Sequence, residues 1–414
     1  MATENTRPIR VMIVDDSALM RKLLTAALRH DPGIEVIDTA MDGQFAIEHL
    51  TRVKPDVIMM DVDLPRLDSL ERIVVDYGLP VVMCSALTTA GARSTIQALA
   101  RGAIDFIEKP TLAAVTSGEA AKAISAKVRA AMGARLSRRV SRRVISPGLR
   151  FASSAGENRS PLPPQRRYAG EPRFGGVSSS RETSEPAPLP LAAGAEWQRT
   201  VQQIAALARQ ARPGIIGIGT STGGPAALEQ ILSGLPVDFP LGIVIVQHMP
   251  PGFTHQLALH LDRNCAITVR EAVDLEAVEP GVALIAPGAM HLRVMRAEPG
   301  YIVTLDERTP AVNSHRPSVD VLFESLARSA GEHAAAFIMT GMGSDGAEGL
   351  GKMARARAVT VAQTPDSCIC FGMPKSAIDR GYARNVIPLD GIASAIIACG
   401  APTHGSNQTK DRIS

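Results

Sequence analysis

Gly214-Ile215-Ile216-Gly217-Ile218-Gly219-Thr220-Ser221-Thr222-Gly223-Gly224-Pro225-Ala226-Ala227-Leu228-Glu229 reads as an apolar strand that breaks on glycines into a helix. Such a turn presents one serine at the carboxyl end of a strand, beside the N–H donors of a helix N-terminus. The spacing Gly219-x-Ser221-x-Gly223 meets the G-x-S-x-G pattern of a nucleophile elbow, which makes Ser221 a candidate nucleophile. Taken alone, the same residues fit a tight turn with a helix N-cap equally well. Gly217, Gly219 and Gly223 also suit a dinucleotide-binding turn, which calls for an acidic residue at the end of the next strand to hold a ribose hydroxyl. That strand, Leu241-Gly242-Ile243-Val244-Ile245-Val246, runs instead into Gln247-His248-Met249-Pro250-Pro251. A histidine there suits proton transfer better than ribose binding.

Further apolar strands follow at Val282-Ala283-Leu284-Ile285, Ala335-Ala336-Phe337-Ile338-Met339 and Val359-Thr360-Val361, separated by helical patterns, so residues 196–403 form an α/β domain with a mostly parallel sheet. The strand at Phe337 runs into Thr340-Gly341-Met342-Gly343-Ser344-Asp345-Gly346, a third strand-end loop that reaches the same crevice. Ser221, His248 and Asp345 thereby offer nucleophile, base and orienter, the set that acyl transfer requires. Backbone N–H groups in the glycine-rich loops are available to an oxyanion. The chain order Ser, His, Asp differs from the Ser, Asp, His order of α/β-hydrolases. No histidine stands in an H-E-x-x-H pattern, and His291, His315 and His333 read as surface or loop residues, which argues against a zinc hydrolase.

Outward from this half, residues 8–135 show a separate alternation. Five short strands, Ile9–Val14, Ile34–Ile37, Val57–Met60, Val81–Cys84 and Ile104–Ile107, are each followed by a helix-length segment, as in a doubly wound parallel sheet. Asp15 and Asp16 follow the first strand, Asp61 the third, Ser85 the fourth and Lys109 the fifth. Carboxylates converging at one sheet edge repel each other unless a hard cation offsets them, and Mg²⁺ with oxygen ligands is the natural candidate.

Between the two units, residues 136–195 lose all periodicity and turn to Arg, Ser, Pro and Gly, as in Ser137-Arg138-Arg139-Val140-Ser141-Arg142-Arg143, so a disordered basic linker is expected there and a polar tail over 404–414. Glu196 to Gln210 restores helical spacing through Trp197, Val201, Ile204, Ala205 and Ala208, a helix expected to pack on the second domain. The net charge of +3 over 414 residues gives no nucleic-acid signature. Five scattered cysteines read as reduced core thiols rather than a disulfide framework, and no apolar run approaches the ~18 residues of a membrane span. A soluble cytoplasmic protein is expected.

Val14-Asp15-Asp16-Ser17, Met60-Asp61-Val62-Asp63-Leu64-Pro65, Met83-Cys84-Ser85-Ala86-Leu87 and Ala103-Ile104-Asp105-Phe106-Ile107-Glu108-Lys109-Pro110 resemble the receiver domain of two-component response regulators. The resemblance implies Asp61 as phosphate acceptor, Asp15, Asp16 and Asp61 as the Mg²⁺ site, and Ser85, Phe106 and Lys109 as switch residues. Ser69 stands where that family has glycine, and the shortened stretch from Asp68 to Pro80 implies a third helix about a turn short. The second half, through Ile218–Pro225, Gln247–Thr254, Ile285–Gly288, His315–Phe323, Thr340–Gly346 and Phe371–Lys375, is similar to the chemotaxis protein-glutamate methylesterase family. That similarity implies Ser221, His248 and Asp345 as the triad, with Thr222 and Met342 in the loops that line the oxyanion and substrate site. Thr220 replaces the alanine or serine usual before the nucleophile, and the linker is longer than the short tether associated with the family.

The implied reaction is phosphorylation-activated hydrolysis of chemoreceptor glutamyl methyl esters, releasing methanol, with deamidation of selected receptor glutamines. Implied partners are chemoreceptor cytoplasmic helices and a chemotaxis histidine kinase, met at receptor clusters on the inner membrane face by a monomer without membrane insertion. No cofactor is expected for the esterase chemistry. Two other readings stay open on the residues themselves: a response regulator whose serine loop only binds an acidic group, and a nucleotide-dependent oxidoreductase.

Overall fold

The computed structural model describes residues 7–64, 68–138 and 194–401. The expected linker lies outside the described residues apart from its helical ends at 136–138 and 194–195, and the expected tail lies outside them altogether.

The first unit runs β1 (Ile9–Val14), α1 (Ala18–Leu28), β2 (Ile34–Ala40), α2 (Gly43–Val53), β3 (Val57–Asp61), α3 (Asp68–Val75), β4 (Val81–Ser85), α4 (Thr89–Ala100), β5 (Asp105–Glu108), α5 (Leu112–Thr116) and α6 (Glu119–Arg138). Its strands form one parallel sheet in the order β2-β1-β3-β4-β5. Alternate side chains feed two cores: Met12, Val14, Ile58 and Met60 face one side, Val11, Ile13, Val57 and Met59 the other. Ser17, Asp42, Thr88 and Thr111 start four of the helices by accepting a backbone N–H three residues on. As expected, α3 is short, at eight residues. Ser69 on α3 presses against Gly43 at the start of α2, where a Cβ would collide with it, so the serine in place of glycine is accommodated by the glycine it faces.

The second unit runs α7 (Gly194–Ala211), β6 (Ile215–Thr220), α8 (Gly224–Leu232), β7 (Gly242–Gln247), α9 (Phe253–Asn264), β8 (Thr268–Glu271), β9 (Val282–Ile285), β10 (His291–Ala297), β11 (Gly300–Asp306), α10 (Val319–Ser329), β12 (Ala334–Ile338), α11 (Ala347–Arg355), β13 (Val359–Gln363), α12 (Met373–Asp379), β14 (Asn385–Ile387) and α13 (Leu389–Gly400). Seven strands form a parallel sheet in the order β14-β13-β12-β6-β7-β9-β8, and β10 and β11 form a separate antiparallel hairpin. β8, β14 and the hairpin were not among the sequence-based expectations. The helix from Glu196 is present as α7 and packs on α13, with Ile204 and Ala208 buried and Trp197 covering Gly391.

Strand succession runs one way from β6 through β7 and the other way from β12 through β13 and β14, so the crevice at the carboxyl ends of β6 and β12 is the switch point where ligands of such sheets bind. The glycines of β6 have a packing role. A Cβ at Gly217 would strike Leu326, and one at Gly219 would strike Val319, both on α10. Those glycines therefore seat α10 against the strand, which removes their support for a dinucleotide turn.

The two units meet at β5. Phe106 stacks on Phe253 at the start of α9, ring centres 4.7 Å apart and planes 2° apart, and α4 lies against α8 and α9. Such a pair contributes about 0.5–1.5 kcal/mol beyond its burial.

Candidate active site

β6 and β7 pair in register with Thr220 opposite Gln247, so Ser221 and His248 are the first residues beyond adjacent strand ends. The His248 N–H donates to the Thr220 carbonyl at 3.2 Å. Ser221 is held from the other side by β12: its N–H donates to the Thr340 carbonyl at 3.0 Å, and a Cβ at Gly341 would lie 2.8 Å from its own Cβ. Thr220, the departure from the family pattern, is fully buried, and its hydroxyl donates to the same Thr340 carbonyl at 2.9 Å. Its added methyl and hydroxyl thus tie the serine turn to the loop after β12. Gly223 has φ +78°, a left-handed turn that lets the chain enter α8 directly after the serine. The Gly224 N–H is given to the Ser221 carbonyl at 2.8 Å, which leaves the N–H groups of Thr222 and Gly223 at the start of the turn available to an anion.

In the sequence, Gln247 stands out only because it occupies the place of a ribose-binding carboxylate. In the structure its Nε2 donates to the carbonyls of both Ser221 (3.0 Å) and His248 (3.3 Å), clamping the two turns together. A buried polar residue at a strand end, next to the histidine, was the available signal.

His248 Nε2 and Asp345 Oδ2 are 2.8 Å apart. Asp345 is buried and accepts from every side: from Val319 N (2.7 Å) at Oδ2, and from Ser318 Oγ (2.8 Å), Asn313 Nδ2 (2.8 Å) and Asp320 N (3.3 Å) at Oδ1. Burial pushes its pKa up, but the bonds from His248, Asn313 and Ser318 outweigh that and hold it well below the ordinary carboxylate range. An ionised carboxylate only accepts, so the imidazole carries its proton on Nε2. Its other nitrogen, Nδ1, is buried and has no hydrogen-bond partner among the described residues, nor does the Ser221 hydroxyl bond to any of them. An Nδ1 without a hydrogen-bond partner, in a ring whose Nε2 is given to Asp345, is where the neutral imidazole offers the lone pair a general base needs.

Two histidines acquire roles that the sequence does not show. His315 lies in the loop between β11 and α10, within the surface-or-loop expectation, but its ring stacks on His248, centres 3.8 Å and planes 7° apart. His291 departs from that expectation: it is fully buried, its Nδ1 accepting from Ser318 N at 3.2 Å and its Nε2 donating to the Pro310 carbonyl at 3.0 Å. Both support the loop that carries Asn313 and Ser318, a tertiary placement that spacing in the sequence does not encode. His333 is exposed, as expected.

Thr222 is buried by the receiver. Its hydroxyl donates to Asp105 Oδ2 at 2.6 Å, and Asp105 Oδ1 pairs with Lys127 Nζ at 2.8 Å. Lys127 in turn lies 5.1 Å from the centre of the Phe106 ring. β5 and α6 therefore cover the rim of the serine crevice through Asp105, Phe106 and Lys127. Met342 is half-buried in the loop after β12.

At the far edge of the receiver sheet, carboxylate oxygens of Asp15, Asp16 and Asp61 lie within 4.8 Å of one another. Lys109 Nζ reaches Asp61 at 2.7 Å and Asp15 at 3.9 Å. Ser85 is fully buried, its hydroxyl donating to the Ala86 carbonyl at 3.2 Å. Asp15 Oδ2 is buried without a hydrogen-bond partner, Lys109 Nζ standing off at 3.9 Å, and burial, together with the Asp61 charge and against the Ser17 N–H, raises the Asp15 pKa to about 6. A buried carboxylate oxygen with no hydrogen bond, among three converging acids, fits a hard divalent cation.

A family model described as CheB methylesterase matches residues 216–396, and one described as response regulator receiver domain matches residues 11–116. The protein-glutamate methylesterase/protein-glutamine glutaminase 2 of Koribacter versatilis is 41% identical over 400 residues, covering 96% of this chain and 97% of that protein. Its namesake in Xanthomonas campestris is 42% identical over 390 residues, covering 93% and 99%. The crystal structure of the Thermotoga maritima CheB methylesterase catalytic domain is 42% identical, covers 45% of this chain and 97% of that chain, and gives a TM-score of 0.44. The relatives match this chain almost end to end.

Proposed function

The chain belongs to the protein-glutamate methylesterase/protein-glutamine glutaminase family and carries a response regulator receiver domain, and from that premise we propose a serine hydrolase acting on chemoreceptors under receiver control. The observation that carries the chemistry is the His248–Asp345 pair, its Nδ1 without a hydrogen-bond partner among the described residues, at the strand end next to the one that Ser221 follows.

Ser221 Oγ attacks the carbonyl carbon of a glutamyl methyl ester while His248 Nδ1 takes its proton. Asp345 holds the ring in that tautomer and stabilises the imidazolium. The oxyanion is met by N–H groups of the Thr222 turn and of the Met342 loop. His248 then returns the proton to the departing oxygen, and methanol leaves. Water, deprotonated by the same nitrogen, adds to the acyl carbon; the proton passes to Ser221 Oγ as its ester bond breaks, leaving a glutamate side chain on the receptor. With a receptor glutamine the leaving group is ammonia and the remaining steps are the same.

Control follows from chain continuity. Asp61 is the proposed phosphoacceptor, and Asp15, Asp16 and Asp61 would hold Mg²⁺, which when bound neutralises charge on the transferring phosphoryl group. Lys109, now on Asp61, and Ser85 are the groups to contact phosphoryl oxygens. Lys109 directly follows β5, so any shift of its ammonium pulls on the strand that carries Asp105 and Phe106 over the crevice. The kinase, receptor helices, cytoplasmic location and recruitment to receptor clusters belong to this same proposal. They are compatible with the finding that no helix among the described residues is long and apolar enough to cross a membrane.

A fluorophosphonate probe tests the nucleophile. Labelling should be stoichiometric, map to Ser221 and disappear in His248→Ala. A label on any other residue would contradict the assignment.

A further inference from the structure

We propose that His315 is a positioning residue for the reaction: its ring, stacked on His248, fixes the plane in which His248 presents Nδ1 to Ser221 and Nε2 to Asp345. The proposal rests on the triad reading above. A single hydrogen bond from Nε2 to a carboxylate leaves an imidazole free to tilt about that bond. A second flat ring against its face, 3.8 Å away, removes that freedom.

The segment that carries His315 is held rigidly. Val312 and His315 exchange backbone hydrogen bonds (3.0 and 2.9 Å) around a tight turn in which Asn313 (φ +52°) and Ser314 (φ +66°) both adopt left-handed backbone. Two consecutive non-glycine residues in that region persist only where surrounding contacts over-determine them, and such strain gathers at functional sites. Those contacts are present. Asn313 Nδ2 donates to Asp345 and Asp320, and Arg316 donates to the carbonyls of Glu307 (2.7 Å) and Thr309 (3.3 Å). One loop thus grips the orienting carboxylate with Asn313 and the base with His315.

The stacked ring must be neutral to serve. An uncharged π face stabilises the imidazolium that forms as His248 takes the serine proton, whereas a second cation would oppose it. The charged groups facing His315 are His248 at the end of β7, Asp345 in the loop after β12 and Lys127 from α6. Burial above all, with the charge that His248 carries when protonated acting in the same direction, lowers the His315 pKa to about 4 despite Asp345, so it remains uncharged at neutral pH.

The test measures kcat, KM and Tm for the intact chain on a methylated receptor fragment, for wild type, His315→Ala, His315→Phe and Ser221→Ala. His315→Ala should lower kcat by about tenfold to a hundredfold, the scale of a small misplacement of a reacting group, with KM within about twofold. His315→Phe, which keeps a flat ring and loses the nitrogens, should recover kcat to within about threefold of wild type. An unchanged kcat in His315→Ala, or a loss confined to KM, overturns the proposal. So does a folded His315→Phe as slow as His315→Ala, because the nitrogens and not the stack would then matter. Should His315→Ala fail to fold, His315→Phe decides alone: a near-wild-type kcat supports the stack, and a loss at unchanged Tm overturns it. Ser221→Ala separates the layers. Release surviving there overturns the triad and this proposal together, whereas release abolished there but indifferent to His315 overturns this proposal only.

Discussion

Asp345→Asn is the substitution for which the structure fixes two magnitudes at once. All five neighbours of the carboxylate are donors, His248 Nε2 and Val319 N at Oδ2, and Ser318 Oγ, Asn313 Nδ2 and Asp320 N at Oδ1. An amide must turn its NH₂ toward one of these sets. At Oδ1 it would confront three donors. At Oδ2 it meets only Val319 N–H and an imidazole that can change tautomer, so that orientation is favoured. The structural cost is then one orphaned buried N–H, about 1–3 kcal/mol. For a domain of this size that is a fall in Tm of roughly 2–12 °C. The catalytic cost is far larger, because His248 would accept at Nε2 and carry its proton on Nδ1, the nitrogen that should take it from Ser221. In serine proteases the equivalent tautomer error costs about 10⁴ in kcat. Methanol release and thermal melts on the same preparation check both. A variant within about tenfold of wild-type kcat would refute the orienting role.

Other outcomes follow from the same contacts. Asp105→Ala removes a charge-assisted bond of about 1.5–3 kcal/mol from the Thr222 rim, so release without a phosphodonor should rise about tenfold or more; no rise in methanol assays means β5 does not restrain the site. Asp61→Asn should abolish the stimulation that an acyl-phosphate donor with Mg²⁺ gives the wild type, and equal stimulation in both would contradict phosphate control through that residue. Because the folded pKa of Asp345 lies below its unfolded value near 3.9, its stabilisation is present above about pH 4 and is lost as pH falls further; the Tm gap between wild type and Asp345→Asn should therefore narrow between pH 6 and pH 3. Limited trypsin digestion should cut within residues 136–195 first and leave an active fragment that begins ahead of α7, since Trp197 and Ile204 pack that helix on the esterase; a folded but inactive fragment would contradict domain autonomy.

Much of the site was readable because strand-end loops converge by topology. Once Ser221, His248 and Asp345 were each placed after an apolar strand, a parallel sheet brought them to one edge. The acids of the receiver followed the same logic. What escaped was tertiary. His315 reaches His248 only because Asn313 and Ser314 turn left-handed, and nothing in those residue types announces it. The glycines of β6 look like a phosphate-binding turn until Val319 and Leu326 are seen to need their space. β10 mixes Arg293 and Arg296 with its apolar residues, as half-exposed strands do, and β11 offers only the short apolar run Tyr301-Ile302-Val303, of which Val303 alone is buried. Asp105 could be placed on its strand, but its bond to Thr222 depends on docking between domains that pattern within one domain does not contain.

The most direct test of the central claim is methanol release from a receptor fragment carrying glutamyl methyl esters, comparing the intact chain with Ser221→Ala at equal concentration. The expected result is turnover by the wild type and a loss on the order of 10⁴ or more in the variant, both proteins melting alike. Wild-type turnover by Ser221→Ala, or no methanol from either, would contradict it.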